Sequence, residues 1–88
     1  MSVNFAEKTE VPLTFLKDGE SGIVVSVKSG YGKAWNLKKR LMDMGITPGT
    51  KIMVVKSAPF SGPVEVIVRG YRLALGREMA EKIFVRVD

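Results

Sequence analysis

Cysteine and histidine are both absent from this 88-residue chain. Without cysteine the chain forms no disulfide, no thiolate metal site and no cysteine nucleophile. Without histidine it lacks the commonest general base and the commonest ligand of transition metals. The two absences argue against an enzyme. We therefore expect no catalytic, metal-binding or cofactor-binding residue.

Long apolar runs are also missing. The longest is Ile52-Met53-Val54-Val55, whereas a helix that spans a bilayer needs about 20 apolar residues. The N-terminal stretch MSVNFAEKTEVP has neither the basic start nor the apolar core of a signal peptide. The sequence therefore predicts a cytoplasmic protein that does not itself span the membrane.

Acidic residues are outnumbered by basic ones. The net charge is +5 and the pI is about 9.8, a balance that favours nucleic acid, anionic lipid or an acidic protein face as partner. No acid interrupts the stretch 28–40. Its five bases are Lys28, Lys33, Lys38, Lys39 and Arg40. A solvated helix face explains such a cluster equally well, so it identifies no partner by itself.

One helix is predicted at 33–44. Ala34, Leu37, Leu41 and Met44 follow the spacing of a buried stripe. Gly45 stands where a helix-ending glycine in the left-handed conformation belongs, with an apolar residue after it to pack back on the last turn.

Turn residues and alternating apolar residues divide the rest of the chain. Pro48 and Gly49 predict a type II turn, Gly62 lies in a breaker-rich loop at 58–63, and Gly70 with Tyr71 predicts a type II′ hairpin turn. The strands are predicted at 21–28 (with Ile23, Val25 and Val27 on one face), 51–57, 64–69, 72–75 and 83–87. A short helical turn at 77–82 precedes the last strand.

These elements predict a mainly β fold. Five strands this short leave few open edges only if they curl into a small closed barrel, into which the helix at 33–44 is inserted. Residues 1–12 carry no sustained period and are interpreted as a loosely held tail, which leaves 13–88 as a single domain.

Two candidate sites, a methionine metal site and a phosphate loop, do not meet the requirements of their chemistry. On a helix Met42 and Met44 point about 200° apart, so they cannot both bind one metal ion, and thioethers need cysteine or histidine beside them in such sites. The stretch Gly30-Tyr31-Gly32-Lys33 resembles part of a phosphate loop but lacks the earlier glycine of that motif.

Two binding interpretations remain open. Tyr31 and Trp35 are interleaved with the lysine and arginine residues and could stack on the nucleobases of a nucleic acid. Alternatively, Trp, Tyr, Phe and Arg residues are the usual anchors of protein contacts. For each residue taken singly, an ordinary core or surface role is the competing explanation. The candidate partner-binding residues are Tyr31, Lys33, Trp35, Lys39, Arg40, Phe60, Tyr71 and Arg72.

The order of these pieces resembles a known family. The stretches LTFLKDGESGIVVSV, KKRLMDMGITPGTKIMVV and PFSGPVEVIVRGYRLALGREMAEKIFV follow one another across residues 13–87. Together they are similar to the FeoA family, small cytoplasmic proteins of ferrous iron uptake. The most specific parts are RLMDMGITPGT, the GPVEVIVRGYRLAL hairpin, and the ending with Ala80, Ile83 and Val85.

The resemblance implies an SH3-like barrel and a partner. That partner is FeoB, a membrane Fe(II) transporter with a cytosolic GTP-binding domain, which would recruit the protein to the inner face of the cell membrane. The implied role is that of a non-enzymatic accessory or regulatory protein, and a weak homo-oligomer is compatible with it. A basic nucleic-acid-binding barrel is the alternative function, although the resemblance makes nucleic acid an unexpected partner.

Overall fold

The computed structural model describes residues 10–28 and 33–87, apart from the side chains of 33–35 and 37. Its strands are β1 (Glu10–Pro12), β2 (Ser21–Val27), β3 (Lys51–Ser57), β4 (Val64–Val68), β5 (Tyr71–Leu75) and β6 (Ile83–Arg86). Its helices are α1 (Lys33–Asp43) and α2 (Arg77–Glu81), and a 3-10 turn spans Leu13–Phe15. Every strand and helix that was predicted from the sequence is present, and each begins and ends within one residue of the predicted position.

The sheet has six antiparallel strands in the order β1-β6-β2-β3-β4-β5, one more than predicted. The extra strand is β1, in which Val11 lies opposite Val85 and Pro12 opposite Phe84. The prediction of a loose tail is therefore wrong for residues 10–12. Proline marks this strand as an edge, since it cannot donate a ladder hydrogen bond. The rest of the predicted tail, residues 1–9, lies outside the described residues.

Strand β2 buries a different set of side chains from the predicted one. Val24 is buried, whereas Ile23 and Val25 are only half-buried. A β-bulge between Val24 and Ser26 shifts the pairing with β6, so that Val27 also reaches the core. One extra residue in a strand reverses the alternation beyond it, and no pattern in the sequence announced this one.

The core lies on the inner face of the sheet. Strand β4 alternates as predicted, with Val64, Val66 and Val68 buried. The 3-10 turn closes one side of the core, because Leu13 and Leu16 are both buried. The predicted mainly β class is confirmed, with two short helices accompanying six strands.

Candidate functional site

The C-terminus of α1 ends in a Schellman motif. The Gly45 N–H donates to the Met42 carbonyl at 2.9 Å, and the Ile46 N–H donates to the Leu41 carbonyl at 3.0 Å. Gly45 adopts a φ of 92°, a backbone conformation that residues other than glycine rarely adopt. Leu41 and Ile46 are fully buried, as the motif's apolar contact requires. The predicted helix stop is confirmed.

The turn after the helix is tied to β2. The Thr50 N–H donates to the Thr47 carbonyl at 3.1 Å, and Gly49 has a φ of 91°, in agreement with the predicted type II turn. The Gly49 N–H also donates to the Val24 carbonyl at 2.7 Å, and the Val24 N–H donates back to the Thr50 carbonyl at 2.8 Å. The turn of Pro48 and Gly49 therefore continues the sheet's hydrogen bonding.

The β4–β5 hairpin turn is of type I′, so the predicted type II′ turn is wrong. Val68 pairs with Tyr71, which leaves Arg69 and Gly70 as the two loop residues. Both have positive φ, 51° for Arg69 and 83° for Gly70. This type is common in two-residue hairpins because its twist matches that of the flanking strands. The predicted role of Gly70 in the turn holds, but its position in the turn is the second.

Arg69 links that hairpin turn to the end of the helix. Its Nε donates to the Gly45 carbonyl at 3.2 Å, and its Nη2 donates to Thr50 Oγ1 at 3.1 Å and to Thr47 Oγ1 at 3.4 Å. A Cβ on Gly45 would lie 2.9 Å from Arg69 Cδ, so the glycine is needed for this approach as well as for its φ. We call Gly45, Thr47, Thr50 and Arg69 the Arg69 junction.

The opposite end of the β3–β4 pair carries the Phe60 loop, residues 58–63. The Ala58 N–H donates to the Pro63 carbonyl at 3.0 Å, which closes the loop. Phe60 and Ser61 have φ values of 55° and 63°. The Phe60 side chain is 98% exposed. A bulky residue in this backbone conformation is strained, and such strain clusters at binding sites.

Two further residues hold the Phe60 loop in shape. A Cβ on Gly62 would lie 2.7 Å from that of Ala58, so this predicted turn glycine is required by close packing. Arg77 Nη2 donates to the Ala58 carbonyl at 2.8 Å and to Ser57 Oγ at 3.3 Å. Arg77 therefore fastens the loop to α2, while Phe60 projects into solvent.

The structure distributes the other candidates over several surfaces. Lys39 and Arg40 are exposed on α1, and Tyr71 (71% exposed) and Arg72 lie at the hairpin turn. Tyr31 and the side chains of Lys33 and Trp35 lie outside the described residues.

Phe60 and Tyr71 do not form one small site. Strand β4 separates them, and its four residue steps span about 13 Å. The structure therefore presents two candidate surfaces at opposite ends of β4.

The charges near these surfaces are mostly unpaired. Arg72 Nε lies 3.9 Å from Glu65 Oε1, which is the one ion pair found within the described ranges 10–28 and 33–87. Lys28, the first base of the predicted cluster, places its Nζ 5.2 Å from the centroid of the Phe84 ring. Lys38, Lys39 and Arg40 are exposed.

Arg69 and Arg77 were missed by sequence reasoning. Arg69 was assigned to a strand, although the Arg-Gly pair between two alternating runs, 64–68 and 71–75, is a hairpin signal that could have found it. Nothing near Arg77 in the sequence indicates its contact with the Phe60 loop, because Arg77 lies 19 residues after Ala58.

Met42 and Met44 lie in different environments at the end of α1. Met42 is 44% exposed while Met44 packs against the core, so the two side chains diverge as helix geometry requires. Within 10–28 and 33–87, no helix has the length and apolar character needed to cross a bilayer.

Comparisons with known proteins point in one direction. The sequence model of the FeoA domain matches residues 11–87. A protein of Methanocaldococcus jannaschii named "Putative Fe(2+) transport protein A" is 39% identical over 74 residues, which cover 84% of this chain and 83% of its own. A Porphyromonas gingivalis protein named "Fe(2+) transport protein A/Fe(2+) transporter FeoB fusion protein" is 36% identical over 75 residues, 85% of this chain but 8% of the fusion.

Solved structures agree with the predicted SH3-like fold. A crystal structure described as iron uptake regulatory protein (FeoA) superposes with a TM-score of 0.77 at 38% identity, covering 89% of this chain and 97% of its own. The zinc complex of Stenotrophomonas maltophilia FeoA, described as a procaryotic SH3 domain protein, has a TM-score of 0.75 at 26% identity, covering 85% and 88%. The SH3-like architecture is thereby confirmed.

Proposed function

Because this chain belongs to the FeoA family, which serves Fe2+ transport, we propose that it is a non-enzymatic accessory protein that binds the cytosolic part of a FeoB-type transporter. The protein would be cytoplasmic and reach the inner face of the membrane through this partner. Its contacts would be made by exposed side chains on a rigid sheet, with no cofactor.

The fusion relative is the observation that carries this proposal. There, a segment 36% identical to this chain is covalently joined to a FeoB transporter. Linking two modules turns their encounter into an intramolecular event, with an effective concentration in the millimolar range for a short flexible linker. Such a link favours contact between the modules, so the separate chain is expected to make the same contact in trans.

Phe60 is the best supported anchor for that contact. Its ring is 98% exposed, and its loop is closed and fastened by Arg77 before any partner arrives. Because the backbone of the loop is already held, mainly the Phe60 side chain has to lose conformational freedom on binding. Lys39 and Arg40, both exposed on α1, would steer an acidic partner face. Tyr31, Lys33, Trp35, Tyr71 and Arg72 remain predicted contacts.

The test is a calorimetric titration of the chain into full-length transporter in nanodiscs, with and without guanine nucleotide. We expect Phe60→Ala to weaken binding about tenfold or more. Phe15→Ala is a matched control, because Phe15 is also a largely exposed phenylalanine (70%), and we expect it to change binding less than twofold.

Three results would count against the proposal. Absence of wild-type binding in both nucleotide states would contradict the function, and equal losses in the two phenylalanine variants would contradict the role of Phe60. Oligonucleotide binding that is micromolar or tighter at physiological salt, with a steep salt slope, would favour the nucleic-acid alternative.

A further inference from the structure

Two open depressions lie side by side on the outer face of β2, β3 and β4, away from the Phe60 loop, and Lys51 lines both. The first is a hollow of about 290 Å³. The adjoining part, about 260 Å³, is lined by residues 21–23 of β2 together with Lys51, which also lines the first part. We call the two parts the outer groove. The first hollow is lined by Lys51, Met53, Ile67, Arg69 and Gly70.

The floor of the first hollow is apolar. Met53 and Ile67 lie directly opposite each other in the β3–β4 ladder, so their side chains share a face. Their strand neighbours Ile52 and Val68 are buried on the inner face, which sends Met53 and Ile67 outward, where they are half-buried. Ile23 adds a third half-buried apolar side chain, because it lies opposite Lys51 on this face.

The walls of the outer groove are positively charged. Lys51 is exposed, and neither it nor Arg69 has an ion-pair partner within 10–28 and 33–87. Arg69 is held in place by its donations to Gly45 and Thr50, yet Nη1 makes no hydrogen bond within the same ranges. Arg72, directly opposite Ile67, adds a third cation that Glu65 partly neutralises.

We propose that the outer groove binds an acidic amphipathic segment of the transporter's cytosolic part. Apolar side chains of that segment would cover Met53 and Ile67, and its carboxylates would accept hydrogen bonds from Lys51 Nζ and Arg69 Nη1. This inference rests on the proposed function and names the surface and the chemistry of the contact. The Arg69 junction fixes one cation beforehand, so binding need not order that side chain.

The composition of the outer groove disfavours other partners. Nucleic acids without sequence preference are held by aromatic platforms that stack on the nucleobases, and among the residues that the structure describes no aromatic one lines either hollow. Proteins bind an anionic lipid surface with lysine and arginine side chains that face the flat membrane interface. Here Lys51 and Arg69 flank a concavity with an apolar floor, which suits the side chains of a peptide.

The outer groove and Phe60 would contact different parts of the partner. Met53 and Ile67 lie one residue pair from the hairpin-turn end of β4, whereas the Phe60 loop leaves its other end. Two separate contacts on one chain raise the overall affinity above that of either alone. Charge changes in the groove should therefore weaken binding without abolishing the contribution of Phe60.

The first test compares Lys51→Glu with the control Lys17→Glu, which makes the same charge change at another exposed lysine. In titrations with the nanodisc transporter, we expect Lys51→Glu to weaken binding about tenfold and to flatten its salt dependence. Lys17→Glu should stay within twofold of wild type. Melting temperatures verify that each variant folds. If Lys51→Glu does not fold, the comparison is made between Lys51→Gln and Lys17→Gln.

The outcomes separate this inference from the proposed function. If wild type does not bind the transporter, both fall. If wild type binds and Lys51→Glu binds equally well, the groove inference falls and the proposed function stands.

A second measurement identifies the occupant directly. The photo-cross-linking residue p-benzoylphenylalanine is incorporated at position 53, with position 78 as control, because Met53 lies in the outer groove and Glu78 is exposed on α2. Cross-linking at 53 to a transporter segment that combines carboxylates with apolar residues supports the inference. Cross-links to lipid, to this chain itself, or to a transporter segment without carboxylates overturn it.

Discussion

The two ends of the β3–β4 pair differ in how they treat their large apolar side chains. At one end the Arg69 junction ties helix α1, the turn after it and the β4–β5 hairpin together, next to the fully buried Ile46. At the other end the Phe60 loop is equally well hydrogen-bonded, yet its largest apolar side chain is 98% exposed.

Backbone strain is offset differently at the two ends. Arg69 and Phe60 both have positive φ. At Arg69 the strain is offset within the fold, because the side chain makes hydrogen bonds to Gly45, Thr47 and Thr50. The Phe60 ring is 98% exposed and cannot form such hydrogen bonds, so nothing comparable within the described residues offsets its strain. Strain of this kind clusters at binding sites, which agrees with the contact proposed for Phe60.

The largest expected effect comes from removing buried volume beside the Arg69 junction. We expect Ile46→Ala to lower the free energy of unfolding by about 2–5 kcal/mol, because Ile46 is fully buried and a cavity would remain. Urea denaturation measures the loss. Met42→Ala, at a half-exposed position on the same helix end, is the control and should cost less than about 1 kcal/mol. A loss below about 1 kcal/mol for Ile46→Ala would contradict its place in the core.

A smaller effect separates the hydrogen bonds of Arg69 from its backbone strain. Arg69→Ala loses the bonds and keeps the positive φ, so we expect a cost of about 1–2 kcal/mol. Arg69→Gly loses the same bonds but relieves the strain, and it should cost about 0.5–1 kcal/mol less. Denaturant midpoints of the two variants give the comparison.

Arg72→Ala supplies the matched control for Arg69, because it removes an exposed arginine whose ion pair with Glu65 is 3.9 Å long. Arg72→Ala should lower the free energy of unfolding by at most about 1 kcal/mol.

For the Arg69 pair, the contradicting outcome is an Arg69→Gly variant that is less stable than Arg69→Ala. That result would show that the assigned conformation of the hairpin turn is wrong.

The smallest expected effect is at the other end. We expect Phe60→Ala to change the free energy of unfolding by less than about 0.5 kcal/mol, because the ring is almost wholly in solvent. Thermal and urea unfolding measure it alongside the binding experiment. A large loss of stability would show that Phe60 belongs to the fold, and the comparison between the two ends would fail.

Local signals in the sequence were reliable where a residue's own backbone chemistry decides the structure. Gly45 ends α1 and Gly49 forms the type II turn as predicted, since both need a positive φ that glycine allows. The alternation of β4 was equally readable, because a strand with one buried face has a period of two.

The predictions failed where a distant strand decides the outcome. Strand β1 exists because Val11 pairs with Val85, at the other end of the chain. The β2 bulge follows from its pairing with β6, and the type I′ turn follows from the register of Val68 with Tyr71. None of these partners is visible in a local pattern.

For the candidate sites the division is similar. Composition alone marked the chain as basic and poor in catalytic residues, and the sequence singled out Phe60 as a candidate without placing it. The outer groove was invisible in the sequence, because only the register of β3 with β4 places Met53 opposite Ile67 and brings Lys51 and Arg69 to the same hollow.

The sequence by itself determined the order and bounds of the elements other than β1, the helix stop at Gly45, the turn of Pro48 and Gly49, and the family, because these depend on neighbouring residues and their φ preferences. Tertiary structure alone decided that Arg69 joins three segments, that Arg77 fastens the Phe60 loop, and that cations flank an apolar groove. Each of these depends on which strands pair and in which register. Register is set by the balance of burial over the whole sheet, which no short stretch of sequence contains.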